Sequence, residues 1–201
     1  MLRDAGLDPV VMVSDVDEDA LLDELAAAPP DDVVVRLAQA KADAIVELIS
    51  APQPDNQSLR DAVLFTCDSM LLLDGRLTGK PHTADVAAAQ WRQMRGRTAQ
   101  LLTGHCVTRI SGGAVVSAAH DTATTVISFA EIDDATIDAY VATGEPLGVA
   151  GAFTLDGLGG WFIDSIDGDP SSVIGIGLPT VHRLLRQVGV DVTTLWIPDH
   201  G

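Results

Sequence analysis

Residues 62–75 read AVLFTCDSMLLLDG: an apolar run rich in branched and aromatic side chains, an acid at position 68, a second apolar run and an Asp-Gly pair. The spacing predicts a strand over Ala62–Cys67, apolar on both faces and therefore central in its sheet. Met70–Leu73 and Leu77 flank the turn Asp74-Gly75, a hairpin signal. A carboxylate at the end of a central strand is where open α/β sheets place their ligand chemistry, which makes Asp68 a candidate site residue. The competing reading is a turn or cap residue, a common fate for Asp.

Upstream, residues 1–6 read as a helix end stopped by Gly6, and Val10–Val13 as a short strand. Ser14 or Asp15 would cap an acidic helix from about Asp17 to Ala27. Pro29-Pro30 breaks it, and Asp31-Asp32 would cap a second helix reaching Ser50, with Leu37, Ala44, Ile45 and Leu48 on one face. A polar loop covers Pro52–Gln57. Downstream, a helix spans about Thr83 to Met94, and Ser111-Gly112-Gly113 joins the strands Val107–Ile110 and Val115–Ser117. Thr122–Phe129 extends the sheet, Asp133 or Asp134 opens a helix to about Thr143, and Trp161–Ile166 forms another strand. Thr180–Val188 closes the helical part and Val192–Trp196 reads as a last strand. The chain is expected to be one α/β domain over residues 1–201.

Composition narrows the function. The 201 residues carry 29 acids against 12 bases, a net charge of −17, yet 47% are hydrophobic and only 20% charged. That balance supports a packed core and excludes non-specific binding to duplex nucleic acid or an anionic membrane. No run approaches the roughly 18 apolar residues of a membrane span. Cys67 and Cys106 are too few for a disulfide scaffold and read as reduced thiols. A soluble, cytoplasmic protein is the expectation.

Of the 12 basic residues, 10 are Arg and only Lys41 and Lys80 are Lys. Lys41 lies four residues from both Leu37 and Ile45, near the apolar face of its helix, where a lysine either snorkels from the core edge or enters a pocket. Lys80 sits in Gly79-Lys80-Pro81, where a close backbone and a point charge suit phosphate. The loop is not a Walker A motif, being one residue short of it and having Pro81 in the hydroxyl position. Glu18, within Asp17-Glu18-Asp19, could supply a second oxygen to a hard divalent cation, or merely complement a helix dipole. The five histidines show no zinc spacing, and Gly157-Leu158-Gly159-Gly160, ahead of a strand, reads as a loop with positive φ.

Taken in order, several segments resemble the Maf family of nucleoside triphosphate pyrophosphatases: Val16-Asp17-Glu18, Ala40-Lys41-Ala42, Cys67-Asp68-Ser69, and Gly75 through Thr78-Gly79-Lys80-Pro81. Gly96-Arg97, Thr103-Gly104, Ile137-Asp138-Ala139-Tyr140 and Gly144-Glu145-Pro146 continue the pattern. Ala150-Gly151-Ala152-Phe153, Ile166-Asp167-Gly168-Asp169-Pro170 and Gly177-Leu178-Pro179 complete it over nearly the whole chain.

The resemblance implies an elongated mixed β-sheet flanked by helices, with two lobes and a nucleotide cleft between them, as in Maf and ITPase-like folds. It implies cleavage of a nucleoside triphosphate to monophosphate and pyrophosphate, with Asp68 as the catalytic carboxylate. Glu18 and Asp68 would hold Mg²⁺ or Mn²⁺, and Lys41 and Lys80 would bind the phosphates. The family opens with a strand and a Ser-x-Ser-Pro-Arg-Arg-like turn, so the resemblance implies that this chain begins past that point and is expected to be N-terminally incomplete relative to the family.

Ser69 stands where the dTTP- and UTP-associated branch has Thr, and Asp156 stands where that branch has Gln. An acid at 156 is similar to the branch acting on 7-methyl-GTP, although Asp156 before glycine also suits a turn. A homodimer is compatible with this reading. The alternative is a non-catalytic nucleotide-binding regulator in cell-division control.

Overall fold

Two hairpins are fixed by residues that tolerate a left-handed backbone. Asp74 and Gly75 take φ of 52° and 76°, and Gly112 and Gly113 take 60° and 82°. Positive φ at both central positions matches the twist of paired strands. The first hairpin joins β1 (Ala62–Leu73) to β2 (Arg76–Thr78), and the second joins β3 (Thr98–Ser111) to β4 (Ala114–Phe129). With β5 (Ile163–Asp167) they form one five-stranded sheet in the order β2-β1-β3-β4-β5. The β1–β2 pair and the β4–β5 pair are antiparallel.

The computed structural model describes residues 1–51, 57 and 59–197. Its helices are α1 (Glu18–Glu24), α2 (Pro30–Ser50), α3 (Ala84–Met94), α4 (Asp134–Ala142), α5 (Pro170–Ile174) and α6 (Leu178–Gln187). The helical and sheet content bears out the α/β expectation of the Maf type. Capping chemistry sets several starts: Asp17 accepts from the Ala20 N–H, Thr83 from Val86 and Asp133 from Thr136. Helix α2 instead begins with Pro30 at its first position and no side-chain cap. Asp31 and Asp32 therefore lie inside its first turn, where they complement the dipole.

The described residues fall into two compact units, one within Met1–Asp68, Gly104–Thr122 and Leu178–Gly201, the other within Ser69–Thr103 and Ala123–Gly177. In the first, α2 buries Val34, Leu37, Ala38, Ala42, Ile45 and Ile49. Ala38 and Ala42 pack on Cys106 and Leu64, and Ile45 and Ile49 pack on Ile110. The buried stripe is rotated from the expected one, and Leu48 is 45% exposed. In the second unit Trp91 of α3 is fully buried. It meets Phe129, Tyr140 and Phe162 edge-on at 5.5–5.8 Å, and its indole N–H donates to the Ala152 carbonyl at 2.7 Å. Such edge-to-face contacts suit the ring quadrupole, and the hydrogen bond satisfies the one polar atom buried with the ring.

Several expected elements differ. Residues 62–70 of β1 pair with β3 on one side only among the described residues, because β2 reaches just Leu71–Leu73. The segment is thus an edge rather than a central strand, and its continuous apolar character lines a cavity. Val10–Val13 is not a strand; Val10, Val11 and Val13 are 70–84% exposed. A β-branched run needs a neighbouring strand to take up its backbone groups. Val192–Leu195 is a short 3₁₀ helix, because Asp191 accepts from the N–H and hydroxyl of Thr193 and its carbonyl accepts from Thr194. That local side-chain bonding wins over strand propensity. Trp161 belongs to a 3₁₀ turn over Leu158–Phe162, and none of Gly157, Gly159 or Gly160 has positive φ. The loop expected at 52–57 lies, apart from Gln57, outside the described residues.

Gly104 shows how closely α2 approaches the sheet. A Cβ there would lie 2.2 Å from the carbonyl carbon and oxygen of Val34. Gly104→Ala should therefore lower stability in urea unfolding by about 1–3 kcal/mol or more. Gly148→Ala, with nothing within 4 Å of the added carbon, should stay within about 0.5 kcal/mol of the parent. Equal unfolding midpoints for the two variants would show that α2 is not held this close.

Candidate active site

The first unit brings three of the sequence-selected residues together. Asp17 caps α1, so Glu18 becomes the first residue of that helix. Lys41 lies in the middle of α2 and Asp68 in β1. Helix α2 is fastened to β1 by the Thr66 hydroxyl, which donates to the Ala38 carbonyl at 2.7 Å. One helical turn beyond Ala38 and two residues beyond Thr66, the Lys41 ammonium hydrogen-bonds Asp68 Oδ1 and lies 2.9 Å from Glu18 Oε1. The side chains are 17% exposed at Lys41, 10% at Asp68 and 38% at Glu18.

Burial works against the Lys41 charge, but the neighbouring Asp68 carboxylate, and then Glu18, outweigh it and raise the lysine above its ordinary value. The ammonium is therefore permanent at neutral pH, and it holds two carboxylates at one point. Next to it the Cys67 thiol is pushed up to about 11, chiefly by burial and further by Asp68, with Lys41 acting in the opposite sense. A thiol so placed stays protonated and is no nucleophile. Lys41, Cys67, Phe65, Ile45, Val11 and Met12 share the walls of a mainly apolar cavity of about 490 Å³.

Among the described residues there is no group of three or more His, Cys, Asp or Glu able to hold a metal ion. Glu18 and Asp68 offer two carboxylates, a donor set that suits a hard cation such as Mg²⁺, which takes one or two protein carboxylates and completes its shell with water and phosphate oxygens. The pair fits that group and does not fit a closed protein cage.

The second unit holds the other sequence-selected residues. Ser69 shares a 2.8 Å hydroxyl–hydroxyl hydrogen bond with the buried Thr103. Lys80 is exposed and, among the described residues, has no hydrogen-bond or ion-pair partner. Its loop is pinned at both ends: the Gly151 N–H donates to the Gly79 carbonyl at 3.2 Å, and the His82 N–H to the Leu147 carbonyl at 2.9 Å. Asp156 is exposed in the loop that leads into the 3₁₀ turn at Leu158.

Reasoning from the sequence passed over Glu145 as a functional residue. Its carboxylate accepts from the hydroxyls of Thr154 and Tyr140 and from the backbone N–H groups of Leu158 and Gly159. Burial alone would raise this carboxyl, but those hydrogen bonds, led by Thr154, hold it down at about 2. The signal available was the pairing of Gly144-Glu145-Pro146 with the glycines at 157, 159 and 160.

Asp68 lies inside β1, which runs on to Leu73 and does not end at Cys67 as the sequence suggests; with the lysine bound to it and the lysine-bearing glycine loop it makes up the candidate site. The model of the family described as "Maf-like protein" matches residues 1–188. A Nocardia farcinica protein is 60% identical over 200 residues, covering 98% of this chain and 90% of its own. One from Rhodococcus jostii is 58% identical over 197 residues with the same coverage, and one from Mycobacterium sp. strain JLS is 53% identical, covering 98% and 91%. All three are named nucleoside triphosphate pyrophosphatase. With a family match that runs through both units and identities above one half, this chain belongs to the Maf-like protein family.

Proposed function

We propose that this protein is a nucleoside triphosphate pyrophosphatase, a hydrolase that releases pyrophosphate and leaves a nucleoside monophosphate. The observation that carries the reading is the Lys41 ammonium held between the carboxylates of Asp68 and Glu18 in a protein of net charge −17. An acidic chain needs fixed cations where a polyanion binds.

In this mechanism a water oxygen attacks the α-phosphorus, the bond to the α,β-bridging oxygen breaks, and pyrophosphate leaves with that oxygen. Asp68 orients the water and accepts its proton. Lys41 compensates charge that develops on the leaving group, and Lys80 adds a second cation to the phosphates. Ser69 and Asp156 are proposed substrate contacts, the latter reading the base. Glu18 and Asp68 would hold Mg²⁺ or Mn²⁺, which supplies Lewis-acid stabilisation of phosphoryl charge when bound. An acidic side chain at 156 favours a modified, cationic base of the 7-methylguanine kind, since Asp can accept hydrogen bonds from a guanine edge. A cytoplasmic setting and a homodimer belong to the same reading.

Asp68→Asn keeps the side-chain volume and removes the proton acceptor. Pyrophosphate release from a triphosphate panel should fall by about 10²–10⁴-fold, with the circular dichroism spectrum unchanged; equal rates in parent and variant would refute the role. Chelation should stop turnover and added Mg²⁺ or Mn²⁺ restore it, whereas a non-catalytic binder would give no pyrophosphate in either state. Lys80→Ala removes one charge-assisted contact and should raise the triphosphate Kd by about 10- to 100-fold; an unchanged titration would take Lys80 out of the site.

A further inference from the structure

Glu145 is satisfied by neutral donors alone. Oε1 accepts from the Tyr140 hydroxyl at 3.0 Å, the Gly159 N–H at 3.0 Å and the Thr154 hydroxyl, and Oε2 accepts from the Leu158 N–H at 3.0 Å. A carboxylate so occupied is neither a base nor a ligand; what it does is hold. The chain around it is shaped to be held. A Cβ at Gly157 would lie 2.8 Å from Glu145 Oε2, and one at Gly159 would lie 2.6 Å from the Tyr140 hydroxyl. Asp156 falls between the two anchors Thr154 and Leu158, two residues from each, so its backbone has little room to move. Immediately after Glu145, the buried Pro146 leads into Leu147 and Gly151, whose backbone bonds fix both ends of the Lys80 loop.

We propose that Glu145 is a positioning residue: its carboxylate holds the 154–160 loop against the 145–151 segment, and thereby sets Asp156, which reads the base, at a fixed place relative to Lys80, which grips phosphate. The role given to Asp156 rests on the proposed function. Glu145 touches no substrate, and its loss acts through Asp156.

The test uses Glu145→Gln, which keeps the shape but replaces one acceptor oxygen with an NH₂ facing donors, alongside Asp156→Asn. Binding of 7-methyl-GTP and GTP, each with a methylene in place of the α,β-bridging oxygen, is measured by calorimetry, and amide exchange is followed at Leu158 and Gly159. In Glu145→Gln those two amides should exchange at least about tenfold faster, and the ratio of the two affinities should collapse to that of Asp156→Asn. Asp156→Asn should lose the ratio with exchange unchanged. Should Glu145→Gln fail to fold, Thr154→Val removes the hydroxyl that donates to Glu145 but also accepts from the Gly159 N–H at 3.3 Å, so the Leu158 amide, bonded to Glu145 alone, is the one read: it should exchange faster and the affinity ratio should fall. Unchanged exchange overturns the proposal, and so does faster exchange with the affinity ratio intact, which is the mark of a merely structural role. A parent protein that binds the two analogues equally overturns it as well. Pyrophosphate release dependent on Asp68 is read separately: its absence removes the hydrolase reading while a Glu145-dependent affinity ratio would still stand.

Discussion

The close seating of α2 on the sheet is the constraint from which the rest of the first unit follows. It is permitted by a missing side chain at Gly104 and enforced by the Thr66 hydroxyl on the Ala38 carbonyl. With the helix seated at those two points, Lys41 lies over β1 and its ammonium reaches Asp68. Glu18 then joins from α1 because Asp17 starts that helix where it does. A bulkier residue at 104 would push the helix off and leave a buried lysine without its counter-charges, which low-dielectric surroundings make costly.

Charge is used differently in the two units. Several arginines of the second unit are tied to local acids: Arg92 to Asp138, Arg95 to Asp134 and Arg97 to Asp74. These exposed pairs contribute little stability each, but they consume most of the cationic side chains. Lys80 stands apart from them, exposed, on a loop whose backbone is bonded at both ends. Glu145 is the inverse case, an anion stabilised by hydroxyls and backbone N–H groups in place of a cation. Hydrogen bonding to the charged form is what lowers a carboxyl pKa in such a setting.

What could be read from the chain follows from how local each signal is. The turns at 74–75 and 112–113 were legible because positive φ demands particular residues, and the starts of α3 and α4 because Thr83 and Asp133 are short acceptors ahead of helical stretches. Asp68 and Lys41 were legible as residue types, whereas their direct pairing across 27 positions, with Glu18 as third member, required the packing of α2. Glu145 was hidden because two of its donors are main-chain amides 13 and 14 residues away, which leave no mark in residue type. Val10–Val13 and Val192–Leu195 misled for opposite reasons. The former has strand propensity without a partner, and the latter is folded by one aspartate next to it.

The contacts that Glu145 makes to residues 158 and 159 end on the peptide backbone and not on side chains. The loop's geometry is therefore inherited independently of what the residues at 156 and 158 display. A lineage carrying this frame can exchange the chemical group at 156 by a single codon change without rebuilding the turn that presents it. On the proposed reading of Asp156, substrate preference would be a superficial trait mounted on a separately held frame, so that two proteins of near-identical backbone could differ in the nucleotides they favour.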